Sequence, residues 1–203
     1  MSLALNTSYF DSEQISGIEK VTIATSVLSI LASAFIFVIS HKIADKFMIV
    51  KFTFQQAFAD LIYSTTTLVS LGLESESTPC NINRYIRDFG RNLSVVWALQ
   101  IAIYGYWKTV LQSSSFEAHY KTIRNLCYII SLIFAAISTM YTQSTHGISC
   151  GVQLNIYDLS GCIVNFFLPL VCMITSLFLY LKILGYVSQM SLPVEKYRLW
   201  VTP

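Results

Sequence analysis

Long apolar runs separated by short polar stretches dominate this chain. Val21 to Ser40 carries no charge and is framed by Glu19-Lys20 and His41-Lys42. A helix needs about 20 apolar residues to cross a hydrocarbon layer ~30 Å thick, so this run predicts a first membrane span over 21–40. A second is predicted over 47–73. It holds Lys51, close enough to its start to snorkel, and Asp60, roughly 13 Å deeper at 1.5 Å per residue. The third, over 81–110, begins with polar turns and becomes apolar from Asn92 onward. Helical spacing favours one continuous helix whose outer turns stand in water or face a cavity. A fourth span is predicted over 123–141, with Arg124 near its inner end. The fifth covers 162–184 and includes Pro169, which membrane helices tolerate. Past Tyr186 the chain is short and amphipathic, and no internal repeat is visible.

Composition strengthens this picture. Of 203 residues, 54% are hydrophobic and 12% charged, against about 25% charged in soluble domains. Mean hydropathy is +0.58. The predicted fold is all-α: a polytopic transmembrane helical bundle with an outer N-terminus (1–20), a five-span bundle (21–186) and an inner tail (187–203). A net charge of +2 with no basic run gives no sign of nucleic-acid binding. The first residues are polar, with Asp11 and Glu13 and no basic n-region. The first span is therefore expected to act as the targeting signal.

Orientation follows from lysine and arginine. With the N-terminus outside, nine of them (Lys42, Lys46, Lys51, Lys108, Lys121, Arg124, Lys182, Lys196, Arg198) lie inside and four (Lys20, Arg84, Arg87, Arg91) outside. That places the C-terminus in the cytoplasm. Asn6-Thr7-Ser8 is a glycosylation acceptor that this orientation puts outside.

Four groups of residues carry candidate chemistry. Cys80 and Cys150 both fall on the outer, oxidising side. Either they form a disulfide that ties the third span to the following outer loop, or both are free, or Cys150 pairs with Cys162. Asp60 is an ionisable group inside the apolar layer, a costly placement that is usually turned to the bundle interior. It is either a polar switch or a packing hydrogen-bond partner of Asn92, Ser94 or Gln100. Arg84, Arg87, Asp88 and Arg91 recur at three- and four-residue steps and share one helix face. Their excess of cations suits an anionic ligand such as a phosphate or carboxylate; the alternatives are lipid headgroups or pairing with Glu74 and Glu76. Tyr104, Tyr106, Trp107 and Lys108 read first as an interfacial belt, with contact to a transducer as the alternative. The three histidines lie by separate loops, so no metal site or other cofactor is expected. No catalytic constellation appears, and an enzyme is disfavoured.

In order along the chain, several features form a set. Ala59-Asp60-Leu61 sits midway in the second span. Cys80 precedes the third, followed by Trp97 and then Ile101-Ala102. Cys150 stands in the loop after the fourth, and Pro169 is central in the fifth. In this the chain resembles the slime-mould cyclic-AMP receptors and their plant and protist relatives, distant kin of secretin-type receptors. The resemblance covers roughly Val21 to Tyr186, helices one to five of a seven-helix receptor fold. It implies a G-protein-coupled receptor at the cell surface. An extracellular small-molecule ligand would enter a cavity under the Cys80–Cys150 staple, lined by Arg84, Arg87, Arg91 and Trp97. Asp60 would take part in helix rearrangement. The inner segments 41–51 and 108–121 would face a heterotrimeric G protein. Spans six and seven are missing from the match, so coupling is implied only for a complete bundle; a truncated product, a fragment, or a short form pairing with a full receptor is the expectation. The competing class is a five-span membrane subunit or small transporter without signalling. A transporter would show broken helices and repeated halves.

Overall fold

The computed structural model describes residues 12–43, 47–74, 77–113, 115–141, 150 and 159–201, and every regular element among them is helical. The helices are α1 (Ser12–Ile43), α2 (Met48–Ser70), α3 (Thr78–Thr109), α4 (Ser115–Ala118), α5 (Tyr120–Tyr141) and α6 (Leu159–Val201). Asn6 and its sequon lie outside the described residues, as do Lys46, Glu76, His146 and most of the loop before α6.

Among the described residues, three stretches are long and apolar enough to cross a membrane: Ser16–Lys42 in α1, Tyr120–Thr139 in α5 and Phe166–Met190 in α6. The protein is a membrane protein on that ground. Two further helices have the length, with 23 residues in α2 and 32 in α3, but they carry Lys51 and Asp60, and Arg84, Arg87, Asp88 and Arg91.

Burial follows the rule for helices packed in lipid. There, lipid tails are as apolar as leucine, so small residues go inward to let backbones approach and large apolar ones face out. Ser26, Ser33 and Ser40 of α1 are buried, while Leu28, Leu31 and Phe35 are exposed. The serines recur at seven-residue steps, which keeps one seam of α1 against α2. Across it the Ser64 hydroxyl donates to Ser29 Oγ at 2.8 Å. In α5, Cys127, Ser131, Ala135 and Ser138 are buried, and Leu126, Ile129, Ile130, Leu132 and Ile133 are exposed.

α3 is the hub. It packs against α2, α5 and α6, whereas α1 packs chiefly on α2. Its start is set by Ser77, whose Oγ accepts from the Cys80 backbone N–H at 3.3 Å, with Pro79 in the first turn. These are favoured caps for a helix N-terminus. The helix therefore begins at Thr78, a turn before the apolar pattern predicts. α2 and α3 run antiparallel: Asn83 meets Thr66, Gly90 meets Ile62 and Tyr63, and Ser94 meets Asp60. Gly90 permits the closest approach, since a Cβ there would stand 2.9 Å from the Tyr63 backbone nitrogen. α6 continues helical to Val201, well past the limit at 184 that the apolar run suggests, and Pro169 lies inside it without ending it.

Candidate functional site

The disulfide marks one end of the site. Cys80, in the first turn of α3, is joined to Cys150, with Cα atoms 5.5 Å apart and both residues buried. It closes a loop of 70 residues and ties the segment before α6 to the start of α3. Free thiols and a Cys150–Cys162 pair are thereby set aside.

Below it, α3 turns its charges inward. Arg84, Asp88 and Asn92 are buried and successive on the four-residue spacing of a helix face. Asp88 Oδ2 accepts a hydrogen bond from the Ser138 hydroxyl of α5 at 2.7 Å. Asp88 Oδ1 lies 3.9 Å from Arg87 Nε and 3.8 Å from Arg91. One carboxylate thus gathers two arginines of its own helix and a serine of the next. An isolated buried charge is strongly unfavourable, and pairing with hydrogen bonding is what makes it tolerable. Taken by themselves, Arg84, Arg87, Asp88 and Arg91 sum to two positive charges.

Asp60 sits lower, on α2. It accepts a hydrogen bond from the Ser94 hydroxyl of α3, so of the three partners the sequence offers, the structure selects Ser94. This bond lies one helical turn below Arg91, about 4.5 Å along the axis. Asn83 Nδ2, near the other end, donates to the Thr66 carbonyl at 2.9 Å. Polar links therefore bracket the Gly90 contact above and below.

Trp97 stands apart from the arginines. It has no solvent exposure and packs on Phe52 with ring centroids 5.8 Å apart. From Arg84 it is roughly 20 Å along the helix. Its indole N–H finds no acceptor among the described residues. The structure places it in a core of rings around Phe52 that includes Tyr104, Phe116 and Tyr120, at 5.3, 5.9 and 5.5 Å. The cavity expected to hold Trp97 together with Arg84, Arg87 and Arg91 is not assembled, because the indole fills the far half of the bundle.

The end of α3 has a second task. Phe116 of α4 inserts against Trp107 and Tyr104. Glu117 Oε1 accepts from Lys108 Nζ at 3.1 Å and from the Tyr104 hydroxyl at 3.2 Å. The aromatic belt thus anchors the α3–α5 connection. The Lys108 hydrogen bond holds the Glu117 carboxyl below its ordinary pKa. Among the described residues, no group of three metal-ligating side chains is present.

Two participants were not named from the sequence. Ser138 is 50 residues from Asp88, and its only signal is a place on the small-residue stripe of α5. Gly90 is visible only as a glycine in a polar stretch. No protein-family model matches the chain, and no curated protein matches it significantly.

Proposed function

We propose that this chain forms helices one to five of a cell-surface receptor of the G-protein-coupled type, similar to the cyclic-AMP receptors, and that α2 and α3 cross the membrane beside α1, α5 and α6. The N-terminus is outside, and the disulfide end faces the extracellular ligand. The observation that carries this reading is the Arg84–Arg87–Asp88–Arg91 cluster, with Arg84 and Asp88 buried, directly beneath the Cys80–Cys150 staple. A charged side chain at the centre of a membrane helix costs about 2.5–3.5 kcal/mol to insert. A helix with four such groups is retained only where neighbours satisfy them, and intramembrane charges of this kind mark functional sites by default. The excess positive charge suits an anionic small molecule, with phosphate or carboxylate groups matching the guanidinium fork.

The ligand acts by differential affinity for two helix arrangements. The Asp60–Ser94 bond couples α2 to α3 one turn below the arginines, so a ligand that draws Arg91 toward itself bears on that bond. The segments 41–51 and 108–121 face the G protein. The test is binding in membranes carrying the full chain, with cyclic AMP as first probe and other phosphate and carboxylate compounds after it. Arg87→Ala is expected to weaken binding of the successful probe about tenfold, the scale of one hydrogen bond to a charged group. Unchanged binding in the Arg84/Arg87/Arg91 triple alanine variant removes the ligand site, and failure of the bound probe to drive nucleotide exchange on a G protein removes the receptor assignment.

One observation favours a second reading, a structural subunit without signalling. Asp88 is already shared by Ser138, Arg87 and Arg91, so the cluster can hold α3 and α5 together with no ligand. The two readings part on the triple variant: the subunit predicts loss of assembly with no anion binding to lose. A transporter draws less support, since its broken helices are not seen in α2, α3 or α5.

A further inference from the structure

A groove of about 510 Å³ opens between α2 and α5, far from the arginine cluster of α3. It is lined by Gln55, Arg124, Asn125, Tyr128 and Ile129. It lies near the beginning of both helices, at the end of the bundle opposite the disulfide. The Tyr128 hydroxyl donates to Gln55 Oε1 at 2.6 Å. The phenol proton is thereby committed, and the donors that face the groove are the amide of Asn125 and the guanidinium of Arg124. Among the described residues, no carboxylate stands within ion-pair distance of Arg124. Positive charge extends along the rim, where Lys51 stands 6.0 Å from the Tyr120 ring centroid and Lys121 is exposed.

The surroundings change abruptly in the other direction. Leu126, Ile129 and Ile130 of α5 are exposed large apolar side chains, immediately beside the groove and inside the stretch long and apolar enough to cross a membrane. A cationic, donor-rich hollow thus meets an apolar wall within two turns. A soluble anion would use only the first, whereas a lipid with a phosphate headgroup uses both. Basic pockets between membrane helices are a recurrent solution for such headgroups, and the planar fork of arginine suits phosphate oxygens.

We propose that this groove is a binding site for an anionic phospholipid, with the phosphate on Arg124 and Asn125 and the acyl chains along Leu126, Ile129 and Ile130. The site is independent of any ligand at α3 and of the receptor assignment, since it requires only that α5 meet lipid.

Native mass spectrometry of the full chain in detergent, titrated with phosphatidylinositol 4-phosphate or phosphatidylcholine, tests this. The phosphoinositide is expected to occupy the protein at least tenfold more strongly than phosphatidylcholine. Arg124→Gln should lower that occupancy about tenfold and Arg124→Lys by less, while Lys182→Gln on α6 leaves it unchanged. Should Arg124→Gln fail to fold, as read by circular dichroism, Asn125→Ala on the exposed side of α5 serves instead, with a loss of about threefold expected. Equal occupancy by the two lipids, or no change in the variant that is read, overturns the site. Displacement of the lipid by millimolar inorganic phosphate would assign the groove to a soluble anion and overturn the lipid proposal.

Discussion

α1 and α3 are equal in length, at 32 residues each, and opposite in logic. α1 is apolar from Val21 to Ser40 and leaves Leu28, Leu31 and Phe35 exposed, burying serines. α3 carries Arg84, Arg87, Asp88 and Arg91 and buries Arg84 and Asp88 at the centre of the bundle. In water both choices would be unfavourable. In lipid both are reasonable, because the solvent offers apolar surface and no hydrogen bonds. A helix like α1 can stand in the bilayer alone. A helix like α3 depends on partners, on its own face and on its neighbours, for the charges it brings, and its specificity comes from that dependence.

Breaking α3 should therefore cost much more than breaking α1, and the largest effect is expected at Asp88. Asp88→Ala removes the carboxylate that Arg87, Arg91 and the Ser138 hydroxyl share. Removing one partner of a buried ion pair costs about 3–5 kcal/mol; because Arg91 keeps part of its surface exposed, a loss of about 3 kcal/mol is expected in unfolding from detergent micelles. A loss under 1 kcal/mol would mean that the arginines do not need their aspartate.

Glycine gives the next comparison. At Gly90 an added Cβ would meet the Tyr63 backbone at 2.9 Å, whereas at Gly17 of α1 nothing stands within 4 Å. Gly90→Ala should destabilise by about 1–3 kcal/mol through overpacking. Gly17→Ala should be neutral or slightly stabilising, since alanine is the better helix former. Equal thermal shifts for the pair would contradict the close α2–α3 crossing.

Smaller still is the hydrogen bond from Ser94 to Asp60. Interhelical hydrogen bonds in membranes average about 0.6 kcal/mol, so Ser94→Ala should lower stability on that scale. Leu28→Ala on the lipid-facing side of α1 should change little. The smallest effect is local and depends on pH. Glu117 titrates below its ordinary value because of the Lys108 hydrogen bond, so this contact contributes fully above the unfolded-state pKa of about 4.3 and fades as pH falls through the lower folded value. The protection of α4 amides, taken relative to their intrinsic exchange rate at each pH, is expected to stay constant from neutral pH to about 4.3 and to fall below it; a fall already at pH 6 would show that Glu117 does not anchor the loop.

Much of this arrangement was legible in the residues. The apolar runs marked the spans in α1, α5 and α6, because a hydrocarbon slab demands length and apolarity together, while α2 and α3 were legible as helices rather than as apolar runs, and the structure pairs Cys80 with Cys150. Other features were hidden for physical reasons. α4 is four residues long and is held by Phe116 rather than by propensity, so it has no periodic signature. The serine seam of α1 looks like any polar scatter until α2 is set against it. Trp97 has the spacing of a cavity residue, yet whether an indole faces a cavity or a ring cluster depends on Phe52, which is distant in sequence. The Ser138–Asp88 bond is equally invisible, since either residue could have met many partners.

The approach at Gly90 has a mechanical consequence. Two helices whose backbones nearly touch at one level have their closest support there, so that level can serve as a fulcrum. Asn83 and Trp97 lie seven residues to either side, roughly 10 Å away in each direction, and form arms of equal reach. A roll of α2 about that point displaces one arm inward as the other swings out. α1, seated on α2, travels with it as a passenger.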